Sequence, residues 1–273
     1  VPDAALGPAS RLQRLEGRVV LGVKADADGI TRLDRLYQSG SARLRLPKGP
    51  GVEGVLINTG GGLTGGDVLE TEVIVAAGAR ATVTTQAAEK VYRASAGEAR
   101  VLNRLVVAGR LDWLPQETIL FDGARLCRRL EVDMAPDATL LAAEATVFGR
   151  TARGERVTHG LFRDDWRIRR GGRLAYADAV RLEGDIDAQL ARAAVAGGGR
   201  AVASCLYVAE DAEARVDAVR EVLRVDGVKA GASTWNGLLA LRLVAPDGQA
   251  LLRAWAPLIE FLRGTPVPRV WRC

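Results

Sequence analysis

The chain carries one histidine, His159, and three cysteines set far apart, Cys127, Cys205 and Cys273, so its chemistry must rest mainly on carboxylates and backbone groups. A histidine-dependent hydrolase or isomerase would have to use His159 with acids near Glu144. The setting Arg156-Val157-Thr158-His159-Gly160 is strand-like, and the chain offers neither G-x-S-x-G nor H-E-x-x-H. A histidine donating to a backbone carbonyl fits that setting better. Spacing singles out no acid/base pair, but two acids stand out by their surroundings. Glu144 interrupts the apolar run Leu140-Leu141-Ala142-Ala143-Glu144-Ala145-Thr146-Val147, and Asp178 interrupts Leu174-Ala175-Tyr176-Ala177-Asp178-Ala179-Val180. A carboxylate buried there is costly unless solvated, paired or metal-bound, with Arg150 and Arg181 as available partners. One His, one Met and three distant Cys cannot readily assemble a closed soft-metal cage. The absence of C-x-x-C spacing argues against structural zinc and a disulfide framework, leaving reduced, packing cysteines.

The densest backbone feature is Asn58-Thr59-Gly60-Gly61-Gly62-Leu63-Thr64-Gly65-Gly66-Asp67, which contains G-x-G-x-x-G after the strand-like Gly54-Val55-Leu56-Ile57. A dinucleotide turn needs a helix N-terminus behind it to supply amide donors. Here Val68 to Val75 alternates with period two and is rich in β-branched residues, which predicts a strand, and no Gly-Lys-Ser/Thr follows. The run is a tight turn that ends in the carboxylate of Asp67.

The elements that must position these groups are mostly strands. Up to about residue 209, Val19-Leu21-Val23, Leu44-Leu46, Val55-Ile57, Leu69-Val73-Val75 and Val202-Ser204-Leu206-Val208 are each bounded by turn residues. Turns around Gly78, Gly109 and Pro136 recur at intervals of 31 and 27 residues, and eight positions after each come Gln86, Glu117 and Glu144. Stacked strand pairs would bring these three together at strand ends, with a weaker fourth unit from Gly171-Gly172 to Asp178. Coincidence among turns is the alternative. After residue 209 a helix capped by Asp211 places Val216, Val219, Val222 and Leu223 on one face. Leu238 to Val244 reads as a buried strand, and a last helix runs from about Gln249 to Leu262, kinked or broken at Pro257. The tail Gly264 to Trp271 reads as non-helical. Its Trp beside Arg suits a partner anchor or a side chain folded back on its own domain. The expectation is a single domain over 1–273 that is mainly β, with stacked, solenoid-like (β-helical) sheets and two C-terminal α-helices. It divides into a β-rich body to about 209 and a helix-strand-helix elaboration beyond.

With 48% hydrophobic residues the chain can bury a full core. A formal net charge of +5 permits nucleic-acid binding, and Arg167, Arg169, Arg170 and Arg173 form the densest basic cluster. Trp166-Arg167-Ile168-Arg169 alternates like an exposed strand face, however, so a solvated or partner-facing sheet fits better than an RNA track, and the positive balance suits an acidic protein partner. Val1 to Leu15 has no basic start followed by an apolar run, and no stretch of about 18 apolar residues occurs, so a cytoplasmic protein without a membrane span is expected.

In order, the glycine turn, Thr84-Thr85-Gln86-Ala87-Ala88-Glu89-Lys90-Val91-Tyr92-Arg93 and Leu114-Pro115-Gln116-Glu117-Thr118-Ile119-Leu120-Phe121-Asp122-Gly123-Ala124 resemble the family of the urease accessory protein UreD, called UreH in some organisms. Phe148-Gly149-Arg150 with Gly154-Glu155, Thr158-His159-Gly160 and Pro268-Arg269-Val270-Trp271 extend the resemblance to about residues 30–273. Residues 1–30 carry none of the stronger motifs. The resemblance implies a non-enzymatic scaffold that joins an F-type accessory protein, and through it a G-type GTPase, to apo-urease. It implies transient Ni²⁺ with no tightly bound cofactor, and no nucleic-acid or membrane partner. Asp67, Glu144 and Asp178 stand in motifs similar to positions of an internal nickel passage. Gly60, Gly61, Gly65, Gly66, Gln86, Lys90, Tyr92, Gln116, Glu117, Gly149, Arg150, Glu155 and His159 match other motif positions. Glu89 beside Lys90 reads as a surface charge pair, and Gln116, Glu117 and Asp122 suit backbone capping of a Pro-initiated turn. Trp255, Arg269 and Trp271 are the expected partner contacts at the C-terminal end.

Overall fold

The computed structural model describes residues 14–49 and 51–272. The chain enters with β1 (Glu16–Ala25), turns back through β2 (Thr31–Gly40), and crosses to β3 (Ala42–Arg45) and β4 (Val52–Asn58). It then passes through β5 (Val68–Val75), β6 (Arg80–Thr85), β7 (Glu89–Val91), β8 (Ala99–Val107), β9 (Arg110–Leu114) and β10 (Thr118–Leu120). There follow β11 (Arg125–Met134), β12 (Thr139–Phe148), β13 (Gly160–Arg170) and β14 (Arg173–Gly184). Helix α1 (Ile186–Ala191), β15 (Ala201–Val208), α2 (Val216–Val222), β16 (Lys229–Trp235), β17 (Leu238–Ala245) and α3 (Gly248–Arg263) complete it.

Two open sheets face each other, with strand orders β14-β13-β11-β8-β5-β1-β2 and β16-β17-β15-β12-β9-β6-β4-β3, while β10 joins β12 to β7. In the first sheet β1, β5, β8, β11 and β13 are parallel neighbours. In the second, β4, β6, β9 and β12 are parallel, and β15, β17 and β16 continue antiparallel. From β4 to β13 the chain thus crosses back and forth between sheets. The sequence's turn repeat is the cause: Ala76 N–H donates to Val23 O at 3.0 Å, Ala108 N–H to Val75 O at 2.7 Å and Ala135 N–H to Val107 O at 2.8 Å, so each turn rests on the previous one. The expected mainly β fold is present. The sheets are not closed into a tube, and the segment from Gly171 to Asp178 is an antiparallel hairpin of the first sheet rather than a fourth stacked unit.

The helices differ from expectation in four respects. A third helix, α1, lies within the β body, too short for a periodic signal; Asp185 caps it by accepting from Ala188 N–H at 2.9 Å. Asp211 does not cap α2. Its carboxylate is taken by Tyr207 Oη at 2.8 Å and Arg215 Nε at 2.6 Å, and a 3₁₀ turn, Glu213–Arg215, leads into α2 instead. Helix α3 runs unbroken through Pro257, because that ring and Arg253, whose carbonyl loses its partner, both lie on the exposed face. The tail is not wholly irregular: Arg269–Arg272 forms a 3₁₀ turn with Trp271 N–H on Pro268 O at 2.9 Å, and a proline entering a helical turn loses no bond.

Three apolar clusters result. One lies between the sheets around Leu21, Val73, Leu105, Trp113 and Trp166. A second lies farther along around Leu63, Leu120, Leu126, Phe148 and Phe162. The third is the outer face of the second sheet covered by α3 through Leu251, Trp255, Leu258 and Ile259.

Candidate functional site

Between the sheets, bordered by members of the first two clusters, lies a cavity of about 300 Å³. Its exposed lining residues Gly61, Gln86 and Lys90 mark the mouth, and the buried Trp113, Thr118, Arg128 and Glu144 mark the inner end. These last four come from β9, β10, β11 and β12, so both sheets contribute.

Glu144 is 2% exposed. Its Oε1 accepts from Trp113 Nε1 at 2.9 Å, and its Oε2 lies 3.0 Å from Arg128 Nε. Arg128 also forks onto Asp164 of β13, with Nε to Oδ1 at 3.0 Å and Nη2 to Oδ2 at 2.7 Å, while Nη1 reaches Thr118 Oγ1 at 3.3 Å. The Nε–H is directed at Asp164, so Oε2 of Glu144 has the guanidinium as an ionic neighbour at 3.0 Å but no hydrogen bond from it, with the Trp166 indole also beside this carboxyl. Burial pushes the Glu144 pKa above the usual carboxylate range, with the Arg128 charge opposing and the Asp164 charge adding to the rise. Burial works against the charged form of Arg128 as well, yet Asp164 and Glu144 hold its guanidinium protonated, with a raised pKa.

Arg150 and Arg181, the expected partners, lie elsewhere: Glu144 pairs with Arg128, which Asp164 also holds, and Asp178 pairs with Arg242. Strand alternation could have found Arg128 and Asp164, since Leu126, Arg128, Leu130 and Val132 point inward from β11 and Phe162, Asp164, Trp166 and Ile168 from β13. Of the three acids singled out, Glu144 alone lines the cavity. Asp67 closes the glycine turn: Oδ1 accepts from Leu15 N–H at 2.9 Å and Oδ2 from Thr64 N–H at 2.8 Å. Asp178 sits on the edge strand β14, paired with Arg242 of β17.

Gln86 and Glu144 do share the cavity lining, but Glu117 does not; Gln116 does. The register explains the slip. Thr84 pairs with Leu114, so Gln86 continues in line with Gln116, whose backbone N–H donates to Thr85 Oγ1 at 2.9 Å and whose Nε2 donates to Thr85 O at 3.1 Å. Glu89 is not a surface partner of Lys90. It is largely buried at the mouth, accepts from Asn58 Nδ2 at 3.1 Å, and burial pushes its pKa up to about 7. A carboxyl whose folded pKa is raised stabilises the fold while protonated, and that contribution disappears as pH rises through about 7. The unfolding free energy is therefore expected to fall by about 2 kcal/mol between pH 5 and pH 8, a decline that Glu89→Gln should flatten in denaturant titrations. An unchanged slope in the variant would mean that the carboxyl is solvated.

The remaining motif residues gather beside the glycine turn. Leu63 N–H donates to Lys90 O at 2.8 Å, and Tyr92 Oη to Gly61 O at 3.3 Å. A Cβ on Gly65 would lie 2.2 Å from Ala96 O, so only glycine fits. Tyr92 meets Phe121 edge to face at 5.1 Å, and Arg150, which follows Gly149, stacks on Phe121 at 4.4 Å while forking onto Glu155 through two 2.8 Å bonds. Asp122 accepts from the backbone N–H groups of Thr158 and His159 at 2.8 and 3.0 Å, and pairs with Arg93. The exposed His159 ring has Thr158 Oγ1 at 3.1 Å from Nδ1, and that hydroxyl also donates to Asp122 Oδ1 at 3.1 Å; the acid thus holds the hydroxyl rather than the imidazole, which is not the order in which a triad activates a nucleophile.

The C-terminal residues divide. Trp255 is 3% exposed inside the α3 cluster, because it shares the helix's apolar face with Leu251, Leu258 and Ile259, so it cannot anchor a partner. Trp271 folds back and donates from Nε1 to Thr84 Oγ1 at 2.9 Å, and Arg269 is exposed. Arg167 and Arg169 share a surface hollow with Glu131, Asp133 and Asp165, which gives a mixed-charge face rather than a phosphate track. Burial raises the thiol pKa of both Cys127, to about 11, and Cys205, and neither is in a disulfide; Cys273 lies outside the described residues. Among the described residues no three His, Cys, Asp or Glu side chains converge to hold a metal, and no helix is long and apolar enough to cross a membrane.

A family described as UreD urease accessory protein matches residues 15–272. "Urease accessory protein UreD 2" of Methylorubrum populi is 53% identical over 275 residues, covering 97% of this chain and 93% of that protein. "Urease accessory protein UreD" of Methylobacterium sp. (strain 4-46) is 52% identical over 271 residues, with 96% of each covered, and that of Azorhizobium caulinodans is 51% identical over 267 residues, with 96% and 98% covered.

Proposed function

This chain belongs to the UreD family of urease accessory proteins, and on that premise we propose that it serves urease maturation as a non-catalytic scaffold that docks on apo-urease and gives Ni²⁺ an internal route. The observation that carries the reading is the cavity between the sheets, which ends on the buried carboxylate of Glu144. The stacked strands β5 to β13 act as a solenoid-like frame that keeps this space open. A carrier must release its ion, and a path of carboxylates, amides and hydroxyls such as Glu89, Asn58, Gln86, Thr118 and Glu144 holds a hydrated cation without the soft ligands that would trap it. Ni²⁺ is cargo here, not a resident cofactor. The F-type accessory protein contacts the α3 and tail end, where Arg269 is exposed, and the G-type GTPase joins through it. The setting is cytoplasmic, and no nucleic acid takes part.

The test is co-purification of the protein with the F-type and G-type proteins and apo-urease, followed by measurement of nickel bound per urease. Glu144→Gln is expected to lower that value about tenfold while the complex still assembles. Equal loss of assembly would make Glu144 structural.

A further inference from the structure

We propose that the free edge of β16 is an interface between two copies of this chain, which pair antiparallel about a two-fold axis at Ala232 and continue the second sheet from one protomer into the next. This goes beyond the reading of the cavity and does not depend on it. The outer edges of the two sheets are β2, β14, β3 and β16. An edge strand presents unpaired backbone groups, and three of these edges carry features that discourage strand addition. β2 has a register shift and carries Arg32, Asp34 and Arg35; β14 has a register shift and carries Asp178, Arg181 and Glu183; β3 is only four residues long, with two arginines. β16 pairs with β17 without a shift and has no charge between Lys229 and Trp235.

The hairpin fixes which backbone groups are free. Trp235 and Leu238 flank a two-residue turn in which Asn236 and Gly237 take φ of 50° and 74°, so the flanking pair exchanges both backbone bonds and the pattern alternates back along β16. Ala230, Ala232 and Thr234 therefore direct N–H and C=O away from β17. The bond from Arg220 Nη2 to Ala232 O at 3.2 Å agrees with that orientation, and because a carbonyl accepts two bonds, this exposed arginine does not exclude an added strand. Ala232 is the midpoint of β16, so a register centred on it uses the whole strand. With Ala232 opposite its own copy, Ala230 meets Thr234, Gly231 meets Ser233 and Lys229 meets Trp235, each pair on one side of the sheet. The centre is small throughout. Gly231 has open space where a Cβ would lie and no left-handed φ, so its own fold does not require glycine, which fits the approach of another backbone. At each end an ammonium comes against an indole, since Trp235 stays 37% exposed while stacked on Tyr176 at 6.2 Å.

A single strand pair is a small interface, so the dimer is weak, with a Kd on the order of 10 µM. The experiment is sedimentation velocity of the full chain, which is expected to pass from monomer to dimer between about 1 and 100 µM. Ala232→Pro removes an N–H that β17 does not use, so the fold is kept while the pairing is lost, and the Kd should rise by at least about tenfold. Ala232→Cys should cross-link to its own copy under mild oxidation, because hydrogen-bonded strand partners stand about 5.5 Å apart, within disulfide reach. Ser233→Cys lies diagonally from its copy at about 7–8 Å, and it should cross-link no more than the unaltered protein. A monomer at every concentration, an unchanged Kd in Ala232→Pro, or equal cross-linking of the two cysteine variants would overturn the proposal. Should Ala232→Pro not fold, the two cysteine variants decide. Protection of this edge only when another accessory protein is present would assign it to that chain, and would equally overturn the two-fold pairing.

Discussion

Arg263→Ala is expected to lower the unfolding free energy by about 3–5 kcal/mol and to free the C-terminal tail for proteolysis. Arg263 ends α3 with its side chain only 8% exposed. It donates from Nε to Asp112 Oδ2 at 3.1 Å and from Nη2 to Thr82 Oγ1 at 3.0 Å, and also to Pro266 O. One side chain therefore joins α3, the tail, β6 and β9. Asp112 is equally buried and its Oδ1 already lacks a hydrogen bond, with Arg110 Nε no nearer than 3.5 Å. Truncation leaves that carboxylate dehydrated and without its main counter-charge. Arg263→Lys should recover only part of the loss, since an ammonium cannot serve the several directions of the fork. The exposed pair Arg220–Asp217 is the control, and Asp217→Ala should change stability by less than about 0.5 kcal/mol. An Arg263→Ala midpoint in urea equal to that of the unaltered protein would show that the pair is solvated.

Trp113→Ala should cost about 3–5 kcal/mol and Trp113→Phe about 1–3 kcal/mol, and the difference separates two roles of one side chain. Trp113 is buried in the inter-sheet core and supplies the hydrogen bond that Glu144 accepts. Alanine removes both the packing and the donor. Phenylalanine keeps most of the packing but removes the donor to Oε1, leaving Glu144 to the Arg128 charge and the Trp166 indole beside it. Urea unfolding of the two variants checks this. If phenylalanine behaves like tryptophan, the indole N–H is not bound to Glu144.

Period-two alternation made the strands legible, from Val19-Leu21-Val23 in β1 to Leu238-Val244 in β17. The same alternation puts Arg128 and Asp164 at inward positions of β11 and β13. Alternation tells which face a residue takes, but not which strand lies across the sandwich, so Glu144 was visible as a buried acid while its partners were not. The turn repeat exposed the stacking, yet its intervals of 31 and 27 differ from the pairings of Arg80 with Arg110 and Arg110 with Thr139, which is how Glu117 was aligned in place of Gln116. Glu89 looked like a surface acid because nothing local reveals that Asn58 and the glycine turn close over it. For Trp255 the apolar helix spacing and the anchor assignment conflicted, and burial by the helix face prevailed.

The stacked turns also govern how the molecule is made. From β4 to β13 a strand of the parallel layers pairs with one about thirty residues upstream, as Arg100 does with Val68 and Arg110 with Arg80, so these layers close chain segments of similar, moderate length. Once the first layers exist, a nascent chain leaving the ribosome can add strands to a template already formed, and the entropic barrier need not be climbed afresh. The bond from Trp271 to Thr84 spans 187 positions and can form only after residue 271 has been made. Docking of the segment that carries Trp271 thus follows the strands it rests on, and slow refolding phases after dilution from urea should report that step.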